Sequence, residues 1–181
     1  TQTANAGTQT PNAEALRTIL RLIDRDQWSA ARDMARTADP DTADVYEWLN
    51  LARSDEDQDF RRYEAFLVTH ADWPLTRRIR ANAERVIPDN IDASRVARLY
   101  LNAEPVSARG MVAYVQALDK LNRGPEADRR LNAWFSDAGL AVPEQDMILS
   151  NLPGRVLIDT IKSRINHMLD EGNFAHARDL A

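Results

Sequence analysis

The chain has 181 residues and a mass of 20.5 kDa, and its 23 Lys and Arg against 28 Asp and Glu leave a formal charge of −5 at pH 7. With 44% hydrophobic and 28% charged residues it has the composition of a folded globular protein, and a chain of this length can build a core without disulfide or metal staples. The acidic balance excludes a field that would hold a nucleic-acid backbone, the lack of cysteine excludes disulfides and thiol catalysis, and no run approaches the roughly 18 apolar residues of a membrane span.

The first twelve residues, Thr1 to Asn12, are small and polar, carry no charge, and cannot offset the entropy of ordering, so they read as a flexible leader. Such an opening is left by signal-peptide removal in many exported proteins, and a trimmed chain has the same look. Residues 13–181 are expected to form one helical domain.

From there the apolar residues recur at helical spacing: Leu16, Ile19, Leu20 and Ile23, then Val45, Trp48 and Leu49, then Phe60, Tyr63 and Leu67. The stripes continue through Leu75, Ile79, Ala83 and Val86, through Met111, Val115 and Leu118, through Ala127, Leu131, Trp134 and Ala138, and through Ile158, Ile161, Ile165 and Met168. Asp72-Trp73-Pro74 puts a proline at a first helical position behind an Asp cap, Asp92 and Ser107 are further caps, and Gly110 and Gly124-Pro125 interrupt or bound helices. The pattern predicts about ten helices of roughly 8–16 residues joined by short connections.

The segment Ile23–Ala35 reads nearly in step with Leu169–Ala181: a turn, an aromatic, then Ala-Arg-Asp, an apolar residue and Ala. Leu121-Asn122-Arg123-Gly124 offers a third turn of related kind. Repetition of this sort predicts an all-α fold of stacked antiparallel helix pairs, an α-solenoid curved into a superhelix. Because the chain stops at Ala181 inside such a pair, the natural polypeptide is expected to continue.

Chemistry-bearing patterns are sparse. His70, His167 and His176 lack metal-ligand spacing, and Asp55-Glu56-Asp57 with Asp59 lacks the turn glycine and terminal Glu of a calcium loop, so it reads as a solvated helix start. No phosphate loop, nucleophile elbow or catalytic triad is present, and neither a cofactor nor a metal is implied. Trp28, Trp48 and Trp134 fall on apolar stripes or helix-pair turns and read as packing residues, while Trp73, held extended by Pro74, plugs a gap between pairs. Arg61-Arg62 and Arg77-Arg78-Arg80 read as solvent-facing partners of nearby acids or as a groove lining for an anionic polymer. Trp73, Arg77, Arg78 and Arg80 together are the candidate surface for a glycan or a partner.

His70-Ala71-Asp72-Trp73-Pro74, preceded by Phe60, Tyr63, Phe66 and Leu67 and followed by Arg78, Arg80, Ala83 and Glu84, resembles the N-terminal helical region of bacterial soluble lytic murein transglycosylases. The likeness runs back through Trp28, Asp39-Pro40 and Trp48-Leu49, and forward through Glu104-Pro105, Gly110, Trp134, Glu144, Arg164 and Ala177-Arg178. Ala71 stands where that family usually has Pro, and Ile79 interrupts its Leu-Arg pair.

The resemblance implies a periplasmic protein whose N-terminal helices form a curved superhelix and whose C-terminal lysozyme-like domain cleaves the bond between N-acetylmuramic acid and N-acetylglucosamine through one catalytic Glu. That family's catalytic motifs are absent from these 181 residues, so no catalytic residue is carried over. On this reading the chain positions peptidoglycan glycan strands for cleavage elsewhere. The alternatives are a tetratricopeptide-like scaffold that binds a protein partner without enzymatic role, and a regulator that kept the helices alone.

Overall fold

A computed structural model describes residues 13–53, 55–137, 139–170, 172, 177, 178 and 180. Residues 1–12, read above as a leader, and most of the last helix pair lie outside them. The described regular structure is entirely helical, with no strand among the described residues. The chain divides between residues 56 and 57 into two compact units.

The first unit holds α1 (Ala13–Asp24), α2 (Trp28–Ala35) and α3 (Pro40–Leu51), each packed on the other two. Its core is Ile19, Ala31, Ala35 and Tyr46, with Leu22, Ile23, Trp28 and Met34 packed around it. Ala31 and Ala35, one turn apart and small, let the backbones of α1 and α2 approach. Helix α3 starts where Asp39-Pro40 says it should: the Asp39 carboxylate accepts from the Thr42 amide at 3.0 Å and the Thr42 hydroxyl at 2.8 Å. Arg53 lies over the Trp28 ring, 4.3 Å from its centroid, and pairs with Asp55 and Glu56.

The second unit holds α4 (Phe60–Thr69), α5 (Thr76–Arg85), α6 (Ala93–Leu99), α7 (Ala108–Lys120), α8 (Gly124–Asp137), α9 (Val142–Asn151) and α10 (Ile158–Asp170). Its main contacts join helices one or two apart in the chain: α4 to α5 and α6, α7 to α5, α6, α8 and α9, and α8 to α10. Helix α7 is the hub. Small residues Ala108, Gly110 and Ala117 alternate on it with Met111, Tyr114, Val115 and Leu118, all buried, so four helices approach it from different sides.

The repeated turn is one hydrogen-bonded device. After α1, Gln27 N–H donates to Leu22 C=O and Asp26 N–H to Ile23 C=O; after α7, Arg123 N–H donates to Leu118 C=O and Asn122 N–H to Asp119 C=O. Asp26 and Asn122 are left-handed, with φ of 59° and 58°, which is the Schellman ending of a helix. Gly172, in step with Asp26 in the sequence repeat, has φ 74° and donates to Leu169 C=O.

Two boundaries differ from the sequence pattern. Helix α5 starts at Thr76, behind Leu75 at φ 63°, so Asp72 is no cap and Pro74 sits in the preceding turn. The left-handed Leu75 breaks helical continuity there. Gly110 lies inside the first turn of α7 rather than bounding it, for a reason given below. Asp92 and Ser107 cap α6 and α7 as expected: Asp92 accepts from the Ser94 amide at 2.8 Å and Ser107 Oγ from the Gly110 amide at 3.2 Å.

Candidate binding cleft

The second unit carries a cleft of about 800 Å³ walled by one face of α8, the segment Glu104–Val106, the start of α9 and Arg77 of α5. Helix α8 presents it with residues at i, i+3, i+4, i+7, i+8 and i+11, namely Glu126, Arg129, Arg130, Ala133, Trp134 and Asp137. The opposite stripe, Ala127, Leu131 and Phe135, is fully buried and anchors the helix.

Trp134 is half-buried in this wall. Its indole N–H donates to the Pro105 carbonyl at 2.7 Å, which fixes the ring plane and leaves the ring lining the cleft beside the small Ala133. Aromatic faces of this kind offer an apolar platform with a polar edge.

The charges around it are sorted. Glu104 is paired with Arg130, Glu126 is held by Arg123 through two bonds of 2.8 and 2.9 Å, and Glu144 accepts from the Ala141 amide at 3.1 Å. Arg77, Arg129 and Asp137 make no hydrogen bond or ion pair among the described residues. The two guanidinium groups without an acidic partner among the described residues, Arg77 and Arg129, stand in the same lining as two carboxylates without a cationic partner there, Asp137 and Glu144, so the cleft offers charge of both signs and its contacts to anionic groups fall to Arg77 and Arg129.

Behind the cleft lies a buried carboxylate. Glu84 of α5 has no exposed surface, and its two oxygens receive four donors: Tyr100 O–H at 3.2 Å and Val106 N–H at 2.8 Å on one, Ser107 N–H at 2.7 Å and Ser107 O–H at 2.6 Å on the other. Burial pushes the Glu84 carboxyl up from its ordinary range, and those hydrogen bonds pull against the shift. Burial also drives the Tyr100 phenol up, reinforced by the Glu84 charge, and draws the Arg80 guanidinium down against the pull of that charge. Gly110 is required beside it: a β-carbon there would stand 2.2 Å from Glu84 Cδ.

The four candidate residues named from the sequence part company. Arg77 lines the cleft, Arg78 is exposed, and Arg80 turns inward with its Nε buried and without a hydrogen-bond partner among the described residues. Trp73 packs edge-on against Phe66 at 5.7 Å and against His70 at 4.8 Å, with His70 stacked on Phe66 at 4.6 Å. The aromatic that meets the cleft is Trp134. Its signal in the sequence is the spacing of Phe135: at i+8 and i+4 from Ala127 and Leu131 it completes the buried stripe, which turns Trp134 to the flank.

Elsewhere the acidic run is structural: Asp57 pairs with Arg85 at 2.6 Å, and Asp59 caps α4 by accepting from the Arg61 amide at 2.8 Å. No group of three His, Asp or Glu with metal-holding geometry occurs among the described residues, and no helix of the structure is long and apolar enough to cross a membrane. Comparison with protein-family models, with curated proteins and with solved structures finds no match to this chain.

Proposed function

We propose that this chain is a non-catalytic helical binding region that holds peptidoglycan glycan strands in the periplasm, within a protein of the soluble lytic murein transglycosylase type whose cleaving domain is not among these residues. On this reading the helices of each unit stack in the manner of a superhelix, which is supported by main contacts between helices one or two apart. The observation that carries the binding role is the cleft itself: the Trp134 ring for a sugar face, with Arg77 and Arg129 uncommitted for the carboxylates that a muropeptide strand bears.

Co-sedimentation of the purified chain with peptidoglycan sacculi tests this. Wild-type protein is expected to pellet with sacculi, and Trp134→Ala to lose about tenfold in affinity, the scale of one aromatic contact. Equal sedimentation of the two proteins, or none of either, would refute the role of the cleft.

A second reading, a tetratricopeptide-like scaffold for a protein partner, draws on Leu157 and Ile158, adjacent at the start of α10 and 61% and 70% exposed. Leu157→Asp with Ile158→Asp leaves sacculus binding unchanged on the first reading and abolishes capture of a protein partner on the second.

A further inference from the structure

We propose that Glu84 is a positioning residue for the cleft: from behind, it fixes the segment Glu104–Ser107, whose front surface holds Trp134 and Arg130 in place. The inference deepens the cleft reading above and rests on it for its ligand.

Four consecutive residues carry the connection. On the cleft side, Glu104 pairs with Arg130 and the Pro105 carbonyl receives the Trp134 indole N–H. On the inner side, the Val106 and Ser107 amides donate to the two oxygens of Glu84. Among the described residues these two amides have no backbone acceptor, so one side chain supplies what a strand partner or helix turn supplies elsewhere. The segment is thereby clamped between a buried carboxylate and the cleft wall, and the orientation of the Trp134 ring depends on where the Pro105 carbonyl is held.

The carboxylate is itself held in one place. Tyr100 and Ser107 hydroxyls complete its acceptor capacity, and the bare backbone of Gly110 leaves just the room its carboxyl group fills. A carboxylate meets the demand because both oxygens face an amide donor, at 2.8 and 2.7 Å. Glu84→Gln keeps the shape and turns an NH₂ group toward one of those amides, so one of the two must be released.

The test uses the full chain, with Glu84→Gln and the milder Tyr100→Phe, which removes one hydroxyl donor and keeps the ring. Hydrogen exchange of the Trp134 indole, assigned by its loss in Trp134→Phe, is followed together with the Val106 and Ser107 amides. Exchange at all three sites is expected to rise about tenfold in Glu84→Gln, the scale of one lost hydrogen bond, and by less in Tyr100→Phe. Leu131 and Phe135 amides in α8 are expected to keep their protection. Affinity for glycan strands solubilised from sacculi is expected to fall by a similar factor.

Faster exchange at Val106 and Ser107 with an unchanged indole would overturn the proposal, since Glu84 would then support the backbone alone. Should Glu84→Gln fail to fold, an unaltered indole in Tyr100→Phe overturns it equally. If the wild-type chain binds no glycan while the indole responds as expected, the peptidoglycan reading fails and the positioning role of Glu84 stands.

Discussion

The Glu84 carboxyl occupies the space where a side chain at position 110 would begin: a β-carbon on Gly110 would fall 2.2 Å from Cδ and 2.5 and 2.6 Å from the two oxygens. Gly110→Ala is therefore expected to destabilise the chain by roughly 1–3 kcal/mol, the usual cost of overpacking. The effect belongs to the pair. In a Glu84→Ala background the same change is expected to be neutral or slightly stabilising, because alanine is the better helix former. A double-mutant cycle by urea denaturation measures the coupling, and additive effects would contradict the close approach.

Ionisation of Glu84 sets a sign for pH. Its folded-state carboxyl lies above the ordinary value of 4.5, so in the window just above 4.5 the folded chain binds more protons at this site than the unfolded chain does. The contribution of Glu84 to stability is thus fullest below 4.5 and falls as pH rises through the raised value. Urea melts of the wild type and Glu84→Gln between pH 4 and 7 should show the difference in stability moving against the wild type as pH rises; a difference that moves in its favour would mean that the four donors outweigh burial at this carboxyl.

Arg164 ties α10 to the elements before it. It is buried, donates to Gln145 Oε1 at 2.9 Å and to the Phe135 and Leu140 carbonyls at 3.1 and 3.3 Å, and stands over the Phe135 ring. Arg164→Ala strands those acceptors and is expected to cost about 3 kcal/mol. Amide exchange resolved by residue should show α10 losing protection first, with α4 retained.

The left-handed residue at the helix-pair turns is replaceable by the one amino acid without a Cβ penalty. Asp26→Gly is expected to stabilise the chain by up to about 1 kcal/mol, whereas Asp26→Val is expected to destabilise it by a similar amount. Thermal denaturation of both variants checks the turn geometry after α1, and the Asn122 pair checks it after α7.

The role of Arg77 and Arg129 in the cleft is open to a direct check. Arg77→Gln with Arg129→Gln should leave stability unchanged, since neither group has a partner to lose among the described residues, and should weaken binding of anionic glycan strands by about tenfold at low salt. Neutral chitin oligosaccharides serve as the control ligand, and their binding should be unaffected.

Much of this architecture is written in local pattern. Helix stripes such as Met111, Val115 and Leu118, the caps at Asp92 and Ser107, and the repeated turn around Asp26 and Asn122 each depend on residues within one or two turns of each other, which is why the sequence displays them. The cleft is less legible because its parts are spread from residue 77 to residue 144. Arg77 shares a basic run with Arg78 and Arg80, yet helical periodicity sends the three in different directions: one to the cleft, one to solvent, one inward. Trp73 reads from the sequence both as a gap-filler and as part of the candidate surface, and Phe66 and His70, placed by the preceding helix, hold its ring. The role of Gly110 was invisible for the same reason, since only the fold brings Glu84 against it.

That the main helix contacts join near neighbours bears on how the chain reaches this structure. In residues 57–181 the loops closed by α4–α6, α5–α7, α7–α9 and α8–α10 contacts are all short relative to the unit, which is the low contact order of fast-folding helical proteins. Growth can then proceed from α7, whose four partners flank it in sequence, outward in both directions. Shortening the unit at α10 removes chiefly the packing of that helix on α8, so the α5–α9 row around α7 is expected to form at nearly its full rate without it.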